Sequence, residues 1–373
     1  MRYPIGVQSF ETIINEDYYY VDKTDLVYEL AQENVCTLVR PRRFGKSLLV
    51  STLDAYFSGQ KELFKGLKID ELEKDWIKYP VFRLDFSGGD YTNPDKLNQI
   101  IKWNLNEWEN QYNLSSGKDI PIGMRFKYVI DEAYKQTGKK AVVLIDNCDK
   151  PIVDVLGSET EILNRNTLNG FLGTFKAADA SLRFVFVTGT LKFVHEYFST
   201  SFNQARDISM NSKFDAICGI TQDELYEVFA EPIKELANKL KLSIEETKQL
   251  LKKQYGGYHF SEELLDIYNP HSLLNAYNNC KLDNYWLNTI DLAYINRILD
   301  INKIDINKIR SLEYSGNYLN NCDFYNKNYV SFLYQIGFLT IKEHKLYYFN
   351  SEYTLDFPND EVRNAFSTLV SNE

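Results

Sequence analysis

The sequence has 373 residues, of which 44% are hydrophobic and 25% are charged, and this composition excludes a collagen-like or broadly disordered chain. Lysine and arginine number 42 against 52 acidic residues, and the net charge of −10 disfavours a protein that coats nucleic acid or an anionic membrane by bulk charge. At roughly 150 residues a domain, the length indicates two or three domains.

Neither a membrane span nor a disulfide framework is expected from the sequence. The apolar runs, such as 141–145, are far too short to cross a bilayer, and the first residues lack the apolar stretch of a secretory signal. Five cysteines, at positions 36, 148, 218, 280 and 322, are scattered without a CxxC pair, which is typical of reduced thiols. We therefore expect a cytoplasmic protein.

The first half of the chain alternates strand and helix patterns. Apolar, β-branched runs predict the strands, and apolar residues at helical spacing predict the helices between them. The predicted strands cover 35–39, 81–86, 141–145, 182–187 and 214–217, and the predicted helices cover 46–58, 94–112, 121–136 and 159–178. This alternation predicts an α/β fold with a mostly parallel five-stranded sheet and helices on both faces.

After residue 220 the pattern changes. Residues 222–240 and 243–254 are long helical segments, and residues 338–342 and 346–350 predict a strand pair with a turn at 343–345. We interpret this part as an α-helical lid and a winged-helix-like module. The predicted domains are the α/β domain over 1–220, the lid over 221–270 and the winged-helix-like C-terminal domain over 271–373.

The most informative segment is 40–47, which joins the first predicted strand to the helix after it and ends in Gly45-Lys46-Ser47. A strand before this GKS and a helix after it are the setting of a phosphate-binding loop, in which amide N–H groups and the helix dipole face an anion. Lys46 would reach the β- and γ-phosphates, and the hydroxyl of Ser47 would bind Mg²⁺. The alternative is a basic helix start that pairs with acidic surface residues.

Arginine at position 40 replaces the first glycine of the general motif GxxxxGK[ST]. The loop would then be tighter or differently curved, with guanidinium groups in contact with phosphate. The predicted nucleotide-binding residues are Arg40, Arg42, Arg43, Phe44, Gly45, Lys46, Ser47 and Leu48. With this loop, the α/β domain over 1–220 is predicted to be a P-loop nucleotide-binding domain, with a P-loop NTPase core.

A later strand ends in an acid. Residues 142–145 lead into Asp146, as in a Walker B strand, so the predicted metal ligands are Ser47 and Asp146. Many ATPases of this kind have a glutamate next, whereas this chain has Asn147, which cannot accept a proton but can orient water. Asp149 is a candidate substitute, and a turn or salt-bridge role is its alternative. For Asp146 the alternative is a buried strand end that caps a turn.

The strand over 182–187 is followed by Thr188, whose hydroxyl could touch the γ-phosphate or the attacking water, with capping of a turn as the alternative. We predict catalytic roles for Asp146, Asn147, Asp149 and Thr188, with ATP and Mg²⁺ as cofactors. Hydrolysis is expected to be weak or absent because Asn147 stands where a glutamate is usual. Arg206 is a candidate arginine finger in a segment, 202–210, that could form a mobile loop, and an ordinary surface arginine is the alternative.

Motifs along most of the chain resemble the AAA-ATPase-like family, which is related to archaeal and STAND-type ATPases. In chain order they lie at 4–10, 20–24, 40–47, 144–146 with 149–151, 186–189, 256–260, 268–270 with 272–275, 334–340, and 358–359 with 361–363. The resemblance implies an ATP-binding core of additional-strand type, in which one strand separates those that carry the two Walker motifs. It also implies a helical lid, a winged-helix-like tail and, after the end of this chain, a PD-(D/E)XK nuclease-like domain.

The leading hypothesis is an ATP- and Mg²⁺-dependent switch, in which nucleotide closes the lid and changes how the tail meets a protein partner. Whether the chain is an ATPase stays open. One alternative is a non-catalytic interaction module on a degenerate NTPase fold, with its loop held by arginine–carboxylate pairs. Another is an ATPase component of a nuclease system, although we interpret Glu343-His344-Lys345 as a solvated turn. The tail is not strongly basic, so charge gives no support for a nucleic-acid partner.

Overall fold

The computed structural model describes residues 1–117, 120–192, 205–289, 295, 304–321, 328–348 and 350–371. Its contacts divide the chain into two compact units. The sheet unit comprises residues 24–38 and 49–208, and the terminal unit comprises residues 1–23, 39–48 and 209–373.

Ten strands have described boundaries. They are β1 (Val35–Val39), β2 (Val81–Asp85), β3 (Ala141–Asp146), β4 (Leu182–Gly189), β5 (Arg206–Asp207), β6 (Ile220–Thr221), β7 (Ile267–Tyr268), β8 (Tyr314–Ser315), β9 (Thr340–Tyr347) and β10 (Asn350–Asp356).

The α-helices with described boundaries are α1 (Phe10–Asn15), α2 (Thr24–Leu30), α3 (Lys46–Phe57), α4 (Lys68–Leu72), α5 (Lys96–Gln111), α6 (Ile122–Thr137), α7 (Lys150–Val153), α8 (Glu159–Leu172), α9 (Thr174–Ala177), α10 (Gln222–Val228), α11 (Ala230–Leu240), α12 (Ile244–Tyr255), α13 (Pro270–Asn279), α14 (Ile306–Arg310), α15 (Gly316–Asn320), α16 (Tyr329–Ile336) and α17 (Asp360–Ser371). Among the described residues, no helix is both long enough and apolar enough to span a bilayer.

Five parallel strands form one sheet in the order β2-β3-β4-β1-β5. β4 therefore lies between β1, which precedes the GKS segment, and β3, which ends in Asp146. This order confirms the additional-strand arrangement that the resemblance implied. Because parallel strands run in one direction, the ends of β2, β3 and β4 lie at the same edge of the sheet.

Helices cover both faces of this sheet. The registers of β2, β3 and β4 place Phe82 and Phe184 on opposite faces. Phe82 packs edge-to-face on Phe126 of α6, with ring centroids 5.9 Å apart, whereas Phe184 stacks on Phe57 of α3 at 5.0 Å. The predicted doubly covered α/β sheet is therefore confirmed.

The terminal unit contains a helical core and a small antiparallel sheet. Helices α10 to α13 share a buried cluster that includes Phe229, Leu236, Leu251 and Tyr277. Capping boxes begin two of these helices, at Thr221 for α10 and at Ser243 for α12, with a glutamate three residues on in each case. The small sheet has the order β8-β10-β9. Its strands and the helices around it suit a winged-helix-like module, and that assignment stays a prediction.

The fifth strand is not where the sequence pattern placed it. The run 214–217 belongs to a short 3₁₀ helix, Ser212–Ile217, whose start is capped by the Asn211 side chain. The strand beside β1 is instead β5, which pairs Arg206 with Cys36. A two-residue edge strand with charged side chains carries no apolar pattern, so its position follows from pairing alone. Residues 202–204 of the segment 202–210 lie outside the described residues, and Arg206 itself forms an ion pair with Glu33.

Two further boundaries differ from the predicted ones. The single helix predicted over 222–240 is two helices, α10 and α11, which meet at a non-helical Phe229 with φ −109° and ψ 26°. A strand pair is present, but it lies further along the chain than predicted: residues 343–347 belong to β9, and its partner is β10, Asn350–Asp356, in place of the predicted 346–350. Tyr347 pairs with Asn350, and Tyr348 between them has a positive φ of 55°. The chain therefore turns after Tyr347, and the polarity of 343–345 reflects an exposed strand.

Candidate phosphate-binding loop and sheet edge

The GKS segment forms a loop that leads directly from β1 into α3. Gly45 has φ +95°, a conformation that side chains rarely adopt, and it immediately precedes the first helical residue, Lys46. Arg43 is also left-handed, with φ 70°. Arg42, Arg43 and Gly45 are exposed, whereas Ser47 and Leu48 are half-buried in the first turn of α3. The twelve-residue helix α3 therefore starts with its amides toward an accessible loop.

Arg40 points into the terminal unit and not into solvent. Its side chain is only 1% exposed, and its guanidinium donates to the carbonyl oxygens of Ser209 at 2.7 Å and Phe214 at 3.3 Å. The guanidinium carbon also lies 4.0 Å from the ring centroid of Phe260, within the range of a cation–π contact. These contacts favour a role for Arg40 in holding the loop, and its predicted contact with phosphate stays a prediction.

Phe44 is the second buried side chain of the loop. Its ring packs edge-to-face on Tyr258 at 4.8 Å and on Phe260 at 5.6 Å, and its carbonyl oxygen accepts from the amide of Gly219 at 2.9 Å. A methyl group at Gly219 would lie 3.2 Å from the Phe44 ring. Phe44 therefore serves as a packing anchor of the loop in this structure.

Lys46 is bound by the loop itself. Its ammonium group donates to the carbonyl oxygens of Arg40 at 2.8 Å and Pro41 at 3.0 Å, and the residue is 7% exposed. A phosphate that replaced these carbonyls would exchange neutral acceptors for charged ones, which form stronger hydrogen bonds with an ammonium group. The Lys46 ammonium group is therefore held at the loop by main-chain acceptors of the loop itself.

In the sheet unit, the predicted catalytic residues lie at the ends of neighbouring strands. Asp146 is completely buried at the end of β3, and one of its carboxylate oxygens accepts from the amide of Asn147 at 2.9 Å. Asn147 is left-handed, with φ 53°, and its side-chain amide donates to the carboxylate of Asp85 at 3.0 Å. Asp85 is exposed at the end of β2 and is the cross-strand partner of Asp146. The sequence pattern did not single out Asp85.

Asp149 and Thr188 tie strand ends together. One carboxylate oxygen of Asp149 accepts from the amides of Thr190 and Leu191, both at 3.0 Å. Gly189 leaves room for this contact, since a Cβ there would lie 2.4 Å from Asp149 Oδ1. The Thr188 hydroxyl donates to the carbonyl oxygen of Leu38 in β1 at 2.8 Å. These bonds favour structural roles for Asp149 and Thr188, and their catalytic roles stay predictions.

The side chains of Cys148 and His259 make their contacts within the fold. Cys148 is fully buried, and burial raises the pKa of its thiol well above the usual range. His259 contacts the Ile341 carbonyl through Nδ1 at 2.7 Å and the Asp266 carboxylate through Nε2 at 3.0 Å. The hydrogen bond with this histidine and the contact with Lys252 lower the pKa of Asp266 to about 2, against the effect of burial. In the part of the chain that the structure describes, no group of three or more His, Cys, Asp or Glu residues could hold a metal ion.

A family model and a relative both match this chain. A family model described as a predicted AAA-ATPase matches residues 4–199, which is more than half of the chain. A protein of Azotobacter chroococcum mcd 1, described as an uncharacterized protein in the vnfD 5′ region, is 30% identical over 374 residues, which cover 99% of this chain and 70% of that protein.

Solved structures show only a distant likeness. The Aeropyrum pernix ORC2 protein, solved as ADPNP–ADP complexes, has a TM-score of 0.36 and 11% identity, with 97% of this chain and 92% of that chain covered. The Aeropyrum pernix ORC1 protein in complex with DNA has a TM-score of 0.33 and 8% identity over 97% and 96% of the two chains. Cdc6p from Pyrobaculum aerophilum has a TM-score of 0.28 and 10% identity over 96% and 97%.

The strand order of the sheet, the loop between β1 and α3 and the extent of the family match agree with one another. The chain belongs to the predicted AAA-ATPase family.

Proposed function

We propose that this chain binds ATP at the loop of residues 40–48 and acts as a nucleotide-dependent switch. The observation that carries the proposal is the passage from β1 through the left-handed Gly45 into α3 at Lys46, in a chain of the predicted AAA-ATPase family. Amides at a loop and helix start favour an anion. The exposed Arg42 and Arg43 add positive charge beside them.

We propose Ser47 and Asp146 as the Mg²⁺ ligands. A hydroxyl and a carboxylate are hard oxygen donors, which suit Mg²⁺, and Mg²⁺ in such sites is held by few protein ligands together with phosphate oxygens. When bound, the ion would neutralise charge on the β- and γ-phosphates. Ser47 is half-buried in the first turn of α3, and Asp146 ends the strand that has the Walker B position in sequence.

We propose that turnover is slow. Asn147 has no group that could take a proton from water, and Asp149, the candidate substitute, is 5% exposed and accepts two main-chain amides. The side-chain amide of Asn147 donates to Asp85, so its oxygen is the atom that remains to orient a water molecule. A bound nucleotide would therefore persist long enough to act as a state of a switch, with a protein partner as the reader.

The exposed arginines of the loop do not form the contacts that the interaction-module alternative requires. That hypothesis requires arginine–carboxylate pairs that hold the loop, and Arg42 and Arg43 form no such pair with any carboxylate in the described ranges. Arg40 differs from them: burial raises the pKa of the Asp215 carboxyl to about 6, and the nearby charge of Arg40 lowers it in part.

Thermal unfolding with and without ATP and Mg²⁺ tests the proposal. A ligand at 100 times its dissociation constant stabilises a protein by about 2.7 kcal/mol, so the wild-type melting temperature should rise by roughly 2 °C or more. Lys46→Ala should abolish the rise. The matched control is Lys234→Ala, which removes an exposed lysine of α11 and should leave the rise intact. A wild-type melting temperature that ATP and Mg²⁺ do not change would refute nucleotide binding.

A further inference from the structure

Arg40 stands at the position of the motif's first glycine, and it links the loop to residues 209–214 and to Phe260 of the terminal unit. Its side chain is directed away from the loop, where Ser209 and Phe214 accept its hydrogen bonds and Phe260 supports its plane. The carbonyl oxygen of Val39 also accepts from this guanidinium, at 3.1 Å. Planar guanidinium groups suit this combination of several acceptors and an aromatic face, and an ammonium group cannot reproduce it.

The main chain of the same residue is directed toward the P-loop lysine. The carbonyl oxygens of Arg40 and Pro41 accept from the Lys46 ammonium group at 2.8 and 3.0 Å. A displacement of Arg40 would therefore displace one acceptor of Lys46 directly and the other through the following peptide. The side chain of residue 40 and the position of Lys46 are thus mechanically connected.

Two neighbouring contacts hold the loop in the same place. Pro41 lies against the end of α16, where a Cβ at Gly337 would come within 2.7 Å of the Pro41 side chain. The Phe260 ring is shared, because it contacts both the Arg40 guanidinium and the Phe44 ring. Phe260 therefore supports the loop on both sides of the exposed residues Arg42 and Arg43.

We propose that Arg40 is a positioning residue for nucleotide binding: anchored by Phe260 and by the carbonyl oxygens of residues 209 and 214, it sets the place of Lys46. This inference rests on the proposed function. It assigns to Arg40 a task other than contact with phosphate. It also makes Phe260, about 220 residues further along the chain, part of the support of the phosphate loop.

The affinity for Mg²⁺-ATP, measured by isothermal titration at a temperature where circular dichroism shows each variant folded, tests this inference. Arg40→Gly restores the general motif and yet should weaken binding at least tenfold. Arg40→Lys should fail to rescue it, and Phe260→Leu should weaken it by a smaller factor. The matched control is Arg363→Ala, which removes an exposed arginine stacked 5.4 Å over Phe357 in the same unit and should leave the affinity unchanged.

The outcomes separate the two proposals. If wild type and Arg40→Gly bind equally well, the positioning role is refuted and the proposed function stands. If wild type does not bind, the proposed function is refuted and the positioning role with it. If Arg40→Gly does not fold, Arg40→Lys and Phe260→Leu decide, and wild-type affinity in both would overturn the inference.

Hydrogen exchange without nucleotide gives a readout that general destabilisation would not produce. Arg40→Lys should accelerate exchange of the amides of residues 42–47 and leave the core of α10 to α13 at its wild-type rate. Equal acceleration throughout the terminal unit would mean that Arg40 only stabilises the fold, and an unchanged loop would mean that it does not position Lys46. Either result would overturn the inference.

Discussion

Asn147 is the residue on which the turnover of this protein depends most directly in our proposal. Because a carboxylate only accepts hydrogen bonds, the atom of the Asn147 side chain that contacts Asp85 is the amide nitrogen, and the amide oxygen lies on the other side. The left-handed backbone at this position suits asparagine, which adopts it more readily than most residues. Position 147 thus combines a conformational preference with the loss of a general base.

Asn147→Glu should raise the steady-state rate of phosphate release at least tenfold, because it restores a carboxylate next to Asp146. It should also lower the stability by about 1 kcal/mol, since glutamate is strained at a positive φ. The matched control is Asn113→Glu, which imposes the same strain at φ 53° in the same unit and should leave phosphate release unchanged. An Asn147→Glu variant that binds ATP but releases phosphate no faster would show that this position does not limit turnover.

Asp149 is expected to matter for stability. Asp149→Ala should lower the free energy of unfolding by about 2–3 kcal/mol, because it leaves the part-buried amide of residue 190 and the buried amide of residue 191 without their acceptor. Asp149→Asn keeps one acceptor oxygen and should cost less. Urea denaturation measures the free energy of unfolding of both variants. The control is Asp154→Ala, which breaks a part-exposed ion pair with Lys150 and should stay within about 0.5 kcal/mol of wild type. Wild-type stability of Asp149→Ala would contradict the structural role.

At the scale of single residues, spacing predicted the loop and its lysine but not the direction of Arg40. Ser209 and Phe214, whose carbonyl oxygens accept from its guanidinium, lie 169 and 174 positions away in sequence. A motif that extends over eight residues carries no information on such partners. The aromatic pair Tyr258 and Phe260 was noted as part of a family motif, and its contact with Phe44 became apparent only from the packing.

At the scale of elements, the long and fully buried strands were predictable and the short edge strand was not. All six residues of β3 are buried, so its pattern is continuous and apolar. β5 has two charged residues and is defined by its pairing with β1. The turn between β9 and β10 was not predictable from polarity. The chain turns where Tyr348 adopts a positive φ, and not where the sequence is most polar.

Glu361 connects elements of the terminal unit. It lies near the start of α17, is fully buried, and accepts from the Ser272 hydroxyl of α13 at 2.8 Å and from the amide of Trp286 at 2.9 Å. Burial raises the pKa of its carboxyl from 4.5 to about 7, although these two donors lower it in part.

The pH dependence of stability follows from that shift. Between pH 4.5 and 7 the folded chain holds a proton on Glu361 that the unfolded chain has released, so this contribution is full below pH 4.5 and is lost as the pH rises through 7. The melting temperature of Glu361→Gln relative to wild type should therefore increase across this window. The control is Glu313→Gln, because Lys345 lowers the pKa of this exposed carboxyl and no increase is expected. A constant difference between Glu361→Gln and wild type would contradict the assignment.

At the scale of the whole molecule, sequence order and compact units divide the chain differently. The chain passes between the two units after residues 23, 38, 48 and 208. The pattern of strands and helices in the sequence predicted domain boundaries at 220 and 270. Segments 1–23 and 39–48 pack with residues 209–373, and contacts of this kind are not encoded in local patterns. The domain boundaries at 220 and 270 remain predictions.

The most direct test is a crystal structure of the full chain grown with Mg²⁺ and a non-hydrolysable ATP analogue. We predict the triphosphate on the amides of residues 43–48, the Lys46 ammonium group transferred from the carbonyl oxygens of Arg40 and Pro41 to phosphate, and the ion on the Ser47 hydroxyl and the Asp146 carboxylate. At saturating analogue, a loop without triphosphate and a Lys46 still bonded to those two carbonyl oxygens would contradict nucleotide binding by this chain.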